Sequence, residues 1–224
     1  MSLTIVDFNN FWSPSGGGVR RYHLEKMNFY RYETDAVYVF VMPDSRTYTE
    51  QLTDSLIIEH VKAFKFPGKW EYRMLWKSSQ IAPILKRHKP DIIEVGSPYI
   101  LPTVVRKNAK KIVPRAKLLG FWHADFPITY VERPIAEKFG KKLGKLASQV
   151  AFAYARYEFK GFTGIQVSAE ETRLRLKRKG LPAHHQVPLG CDISMFSPTK
   201  RDEKLVSLLK QGDKDRPIIF FPHR

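Results

Sequence analysis

Cysteine is almost absent from this sequence. Cys191 stands alone, so no internal disulfide can form, and no cysteine or histidine cluster at ligand spacing supports a structural zinc site. Long apolar runs are missing as well. None approaches the ~20 residues that a bilayer-spanning helix needs, and the start, Met1 to Asp7, lacks the basic leader of an export signal. A reducing, cytoplasmic setting is expected from these absences. Acidic residues are also scarce: 22 of them face 38 lysines and arginines, a formal net charge of +16. Such a surface attracts phosphate groups, nucleic acid or an anionic membrane, and charge alone does not choose among them. Lysine and arginine also coat ordinary exposed helix faces, which is the other reading of the dense stretches Arg106 to Lys117, Lys138 to Lys145 and Arg173 to Lys179. No RNP, KH or helix-turn-helix pattern accompanies the charge, so nucleic acid is the less favoured partner.

What is present is an alternation of short β-branched runs with longer helix-like stretches, in a chain of 224 residues that is 43% hydrophobic. That order predicts an α/β fold with a doubly wound, mostly parallel sheet. Strands are expected at Leu3 to Phe8, Ala36 to Val41, Ile92 to Val95, Leu118 to Trp122 and Gly164 to Val167, with a weaker one at Leu56 to Val61. Helices are expected at Val19 to Tyr30, Tyr72 to His88, Ile100 to Lys110, Arg133 to Phe159 and Ala169 to Lys179. Within the fourth, Phe139, Leu143, Leu146 and Val150 share one helical face, which favours a continuous or briefly interrupted helix despite Gly140 and Gly144. Near the end, a charged segment gives way to the apolar run Pro217 to Phe221, which reads as a strand with nothing to pair it. The expected division is therefore a domain over residues 1–212 and, over 213–224, a linker with the truncated start of a second domain.

Ligands of open parallel sheets bind beyond the carboxyl ends of the strands, so the loops there carry the chemistry. After the first strand come Gly16, Gly17 and Gly18, with a helix directly behind. Their backbone allows close approach of a ligand, and free helix-start amides favour a diphosphate; a flexible turn is the plainer use of the same glycines. The loop is not a P-loop, since no Gly-Lys-Ser/Thr follows, and the G-x-G-x-x-G spacing is missing. Glu94 ends a strand where it can bind a sugar hydroxyl or remain a solvated carboxylate, whereas Ser97 and Pro98 suit a helix cap and first turn. His123 follows a buried strand, with Asp125 two residues on. A histidine there can exchange a proton near neutral pH, its tautomer fixed by the carboxylate, or simply bond to a loop carbonyl.

Taken together, Gly16-Gly17-Gly18-Val19, Asp91 to Pro98, Phe121-Trp122-His123-Ala124-Asp125-Phe126-Pro127, Ile165 to Ser168 and Pro188-Leu189-Gly190-Cys191-Asp192 with Phe196-Ser197-Pro198 resemble a known pattern. It is that of the amino-terminal, Rossmann-like half of a retaining glycosyltransferase of family 4, with the two-domain GT-B architecture. Leu189 stands where asparagine is usual, and Cys191 where an aliphatic residue is usual. The resemblance implies transfer of a sugar from a nucleotide diphosphate sugar to a sugar or lipid-linked acceptor, with retention and without an obligatory metal or other cofactor. It places the glycine loop at the donor diphosphate, His123 near the transferred sugar, and Arg224 at the start of a phosphate-binding segment in which His223 replaces the usual glycine. The family's paired-glutamate segment is lacking, so the chain alone is expected to be inactive. A non-catalytic interaction or remnant protein, or a basic nucleic-acid-binding module, are the other classes considered. The +16 charge, with Lys138, Lys142 and Lys145 on one face of the expected helix, suggests peripheral attachment to an anionic membrane.

Overall fold

The first strand, β1 (Thr4–Phe8), has an alternating character that sets the architecture. Ile5 joins one apolar cluster, Val6 and Phe8 join another, and Asp7 lies buried on the face of Ile5. The computed structural model describes residues 2–13, 17–65, 72–190 and 192–219. The expectations placed on Gly16, Cys191, Phe221, His223 and Arg224 therefore lie outside the described residues. The chain divides into two units, Met1–Pro188 and Leu189–Arg224.

In the first unit, β1 is followed by α1 (Gly18–Tyr32), β2 (Val37–Asp44), β3 (Tyr48–Gln51), β4 (Leu56–Lys62), the short pair β5 (Phe64–Lys65) and β6 (Arg73–Met74), and α2 (Ser78–His88). Then come β7 (Ile92–Val95), α3 (Leu101–Ile112), β8 (Lys117–Trp122), a π-helical stretch Pro127–Glu132, α4 (Arg133–Phe139), α5 (Lys141–Glu158), β9 (Gly164–Val167), α6 (Glu170–Arg178) and β10 (His185–Gln186). The second unit holds a 3-10 turn, Pro198–Lys200, and α7 (Glu203–Lys210).

Eight strands form one sheet in the order β10-β9-β8-β7-β1-β2-β4-β3, parallel except for the edge strand β3. From β1 the chain winds outward through β2 and β4, then crosses back to β7 and winds the other way. The order reverses between β1 and β7, and the crevice of a doubly wound sheet lies beyond that switch point. On one face, Met27 and Leu24 of α1 pack against Ile5, Tyr38, Phe40 and Ile58. On the other face, Ile81 and Leu85 of α2, Val105 of α3 and Phe152 of α5 join Val6, Phe8, Val39 and Ile93. At the far edge, Glu59 of β4 is buried and accepts from Arg87, His88 and Thr49, which tie α2 and β3 to the sheet. Burial raises the Glu59 pKa, and those donors more than reverse it.

Several expectations change at the helices. Ordered helix begins at Ser78, not Tyr72, because Arg73–Met74 are taken by the β5–β6 pair. Ser97 does not cap α3. It is buried within the turn ahead of the helix, receiving the Tyr99 amide at 3.4 Å, and Pro102, not Pro98, occupies the first turn. The cap comes from α5: the Tyr154 hydroxyl accepts from the Ile100 amide at 3.0 Å, and the buried Glu158 carboxylate accepts from Thr103 at 3.2 Å. Pro217–Ile219 form no strand, since among the described residues no neighbour pairs with them.

The largest change is the helix expected from Arg133 to Phe159. It breaks at Gly140, whose φ of 93° favours glycine, and α4 folds back against α5. The reversal brings Gly144 onto α4: a Cβ there would lie 2.6 Å from the Ala136 Cβ and 2.8 Å from the Glu132 carbonyl oxygen. Lys138 accordingly sits on a different arm from Lys142 and Lys145. Alanine is intrinsically better in a helix by ~1 kcal/mol, but overpacking costs ~1–3 kcal/mol and should win here. Gly144→Ala is expected to lower the unfolding free energy measured in urea by a net ~1 kcal/mol; an unchanged or raised value would mean that the two arms do not pack this closely.

Candidate functional site

Asp7 of β1 and Glu94 of β7 are register partners on adjacent parallel strands, so both carboxylates project to the same face next to the switch point. Like charges so placed repel, and both are largely removed from water: their side chains are 3% and 13% exposed. Lys26 resolves the conflict. Helix α1 delivers its ammonium between them, 2.8 Å from Asp7 Oδ2 and ion-paired with Glu94 as well. The Tyr38 hydroxyl donates to the same Asp7 oxygen at 2.7 Å, and His23 Nδ1 lies 3.4 Å from it. Burial would raise the Asp7 pKa, but the Lys26 ammonium and the neighbouring His23 ring hold it well below the usual carboxylate range. Gln166 of β9 donates to Glu94 at 3.4 Å, extending the network across the sheet.

One layer nearer the strand ends, the polar groups continue. Asn9 and Asn10 follow β1 and are buried; Asn9 bonds to His23, and its Oδ1 accepts from the Phe11 amide at 2.7 Å. Asn10 pairs with the backbone of Leu75 in both directions, at 2.8 and 3.3 Å, which anchors the path into the glycine loop. Gly17 is the residue before α1 and Gly18 its first residue. Among the described residues no side chain caps this helix start, and no acidic residue occupies its first turn. A Cβ on Gly18 would meet nothing within 4 Å. Arg20, in the same first turn, lies over the Trp12 ring at 5.9 Å, and its Nε is buried without a hydrogen-bond partner.

His123 follows β8 directly and enters this cluster from the opposite side of the switch. Its ring stands perpendicular to Phe121 at 4.1 Å, with Tyr22 at 5.6 Å and His23 at 6.0 Å, while Tyr22 stacks on Phe121 at 4.7 Å. Gly96 makes room for it. A Cβ at that position would lie 3.0 Å from His123 Nε2 and 2.7 Å from the Asn9 amide nitrogen. Nε2 is buried without a hydrogen-bond partner. Burial, assisted by the neighbouring His23, pulls the His123 pKa from 6.5 to about 3. At neutral pH the imidazole is therefore uncharged, a hydrogen-bonding group and not the near-neutral proton exchanger that its position suggests.

Asp125 does not orient His123. It pairs with Arg175 of α6 at 2.8 Å, and burial raises its pKa against the opposing pull of that guanidinium. Of the residues singled out in the sequence, the structure thus gathers Glu94 and His123 around one polar cluster, sets Gly17 and Gly18 at the start of the helix that supplies it, and gives Asp125 to a separate ion pair. Asp7, Asn9, His23, Lys26 and Arg20 escape a motif-based reading. The available signals were an acidic residue inside the apolar strand Thr4–Phe8 and the i, i+3 pair His23 and Lys26 on the helix behind the glycines.

Both depressed pKa values make the fold acid-labile, in different windows. For His123, the unfolded state binds more protons between pH 6.5 and about 3, so its contribution is complete above 6.5 and is lost as the pH falls through that range, by at most ~1.4 kcal/mol per pH unit. For Asp7, whose unfolded pKa is near 3.8, the contribution is present above that value and lost below it. His123→Asn should flatten the pH dependence of thermal stability between pH 4 and 6.5 yet leave the steep loss below pH 4; an unaltered slope between 4 and 6.5 would contradict a neutral His123. Lys26→Met leaves two buried carboxylates facing each other and should cost ~3–5 kcal/mol in urea unfolding, with a marginal loss counting against a central role for the ammonium.

Residues 16–195 match the model of glycosyltransferase family 4. No curated protein sequence matches the chain. Among solved structures, a sucrose-phosphate synthase from Thermosynechococcus elongatus aligns over 94% of this chain and 98% of its own, with a TM-score of 0.50 at 8% identity. Identity that low speaks to the fold alone, and the fold is the Rossmann-like half of the GT-B architecture. With the family model spanning most of its residues, the chain belongs to glycosyltransferase family 4.

Proposed function

We propose that this chain forms the acceptor-side half of a transferase that moves a hexose from a nucleotide diphosphate sugar to a sugar or lipid-linked acceptor, with retention at the anomeric carbon. In that reaction the bond from the anomeric carbon to the diphosphate oxygen breaks, the acceptor oxygen takes its place, and the acceptor's proton leaves with the diphosphate. The observation that carries the reading is His123. An uncharged, half-buried imidazole whose Nε2 is buried and unpartnered, just past the end of β8, suits a hydrogen bond to a sugar hydroxyl. The same observation favours a holding role over acid catalysis, because a group with a pKa near 3 is a poor proton donor at neutral pH.

Support for the diphosphate comes from the start of α1. Among the described residues no side chain caps its amides, and its first turn carries Arg20 and no acidic residue, an electrostatic setting suited to an anion. Among the described residues neither packing nor backbone angle demands glycine at position 18, which is consistent with a backbone kept bare for a ligand. Asp7, Lys26 and Glu94 then act from beneath, holding α1 at a fixed height relative to the strand ends. Glu94 is spent on Lys26 and Gln166, so its part is positioning more than sugar contact.

In a GT-B enzyme the donor lies between two domains, and residues 1–212 would furnish one of them, with 213–224 leading toward the other. The 224-residue chain assayed by itself is expected to fold and to transfer no sugar, and robust transfer by it would overturn the half-site account. Within an active enzyme carrying this domain, His123→Ala should lower turnover at saturating substrates by ~100-fold while shifting the melting temperature little. Undiminished turnover would remove His123 from the reaction.

A further inference from the structure

The hairpin of α4 and α5 leaves a surface that the sugar-transfer reading does not use. Between α5 and the π-helical stretch that leads into α4 runs an apolar groove of about 770 Å³, with Tyr130, Val131 and Ile135 on one wall and Leu143, Leu146 and Val150 on the other. These are not marginal exposures: Tyr130, Leu146 and Val150 are 62%, 57% and 64% exposed, and Phe139 at the turn is 59% exposed. On α5 the spacing 143, 146, 150 and the exposed Tyr157 give an outward stripe with the helical period, while a second stripe, Gly144, Ser148, Ala151, Phe152 and Ala155, faces inward; Phe139 lies at the turn that ends α4. An apolar stripe on the solvent side of a helix already packed on its other face has a second use.

The charges around the groove say which use. Arg133, Lys138, Lys141, Lys142 and Lys145 are all exposed on the hairpin, against the two carboxylates Glu132 and Glu137. Among the described residues none of these five cations is held in an ion pair; Lys138 rests over the Phe139 ring at 5.3 Å. Lysines concentrated at the turn, beside Phe139 and Leu143, match a flat anionic surface whose interior is apolar. Their long stems can reach headgroups while the neighbouring rings and methyls enter the acyl boundary. Tyr130 and Tyr157 supply the amphipathic aromatics that favour that boundary. No described helix is long and apolar enough to cross a membrane, so contact would be with one leaflet.

We propose that the α4–α5 hairpin is a membrane-docking element, which seats Phe139, Leu143, Leu146 and Val150 at the acyl boundary of an anionic leaflet and its lysines among the headgroups. The inference rests on the hairpin alone and stands whether or not the chain takes part in sugar transfer. Co-sedimentation of the 224-residue chain with phosphatidylcholine vesicles, and with vesicles containing 30% phosphatidylserine, tests it. Binding is expected only to the anionic vesicles, and it should weaken steeply with salt. Replacing Lys138, Lys141, Lys142 and Lys145 by glutamine should reduce partitioning by roughly fivefold per residue. Leu143→Gln with Leu146→Gln should weaken binding that survives in high salt, with circular dichroism melts confirming that these surface variants fold. In Phe139→Trp, brominated acyl chains should quench the new tryptophan. Equal sedimentation with both vesicle types at low salt, loss of binding only on neutralising Arg106, Lys107, Lys110 and Lys111, an unquenched tryptophan, or a Leu143→Gln change that dissociates a dimer without altering vesicle binding would each overturn the proposal.

Discussion

A single ammonium between two buried carboxylates is the constraint around which this domain is assembled. Parallel pairing of β1 with β7 puts Asp7 beside Glu94, and no rotamer choice separates charges fixed by strand register. Lys26 makes that pairing tolerable, and Tyr38 and His23 complete the coordination of Asp7. Because the ammonium belongs to α1, the ionic contact also fixes the azimuth and height of the helix whose start is offered to an anion. Replacing the three charges by apolar residues is the substitution that often stabilises buried networks, so their presence at a strand-order switch fits a site held for geometry more than for stability.

The outer layer is then a set of consequences. With α1 fixed, His23 meets Asn9, Tyr22 stacks on Phe121, and His123 is enclosed by rings on three sides with Gly96 leaving it space. Water is largely excluded, which is why the imidazole stays neutral and why a hydrogen bond to it would be strong.

Most of the sheet was legible in the sequence because its strands are short, β-branched and bounded by turn residues; Ile92–Val95 and Gly164–Val167 fall where the pattern puts them. The helical hairpin was not. Local apolar spacing runs unbroken from Phe139 to Val150, and only the left-handed angle at Gly140 and the close contact of Gly144 with Ala136, both tertiary facts, reveal the reversal. For the site, motif spacing reached His123 and Glu94 but not Lys26 or Asp7, whose pairing depends on a strand register that periodicity does not encode. Asp125 misled for the reverse reason. Nearness in sequence to His123 suggested a partner, whereas Arg175 reaches it from another helix.

The borrowed cap of α3 has a mechanical corollary. Tyr154 and Glu158 sit one turn apart on α5, and together they receive the first amides of α3, directly behind the turn that holds Ser97 and Gly96. A slide of α5 by one turn, ~5.4 Å, would strip both acceptors at once and leave those amides and a buried carboxylate without partners. Helix α5 is therefore a latched strut. Its two acceptors tie the longer arm of the hairpin to the start of α3, next to the turn in which Gly96 leaves room for His123.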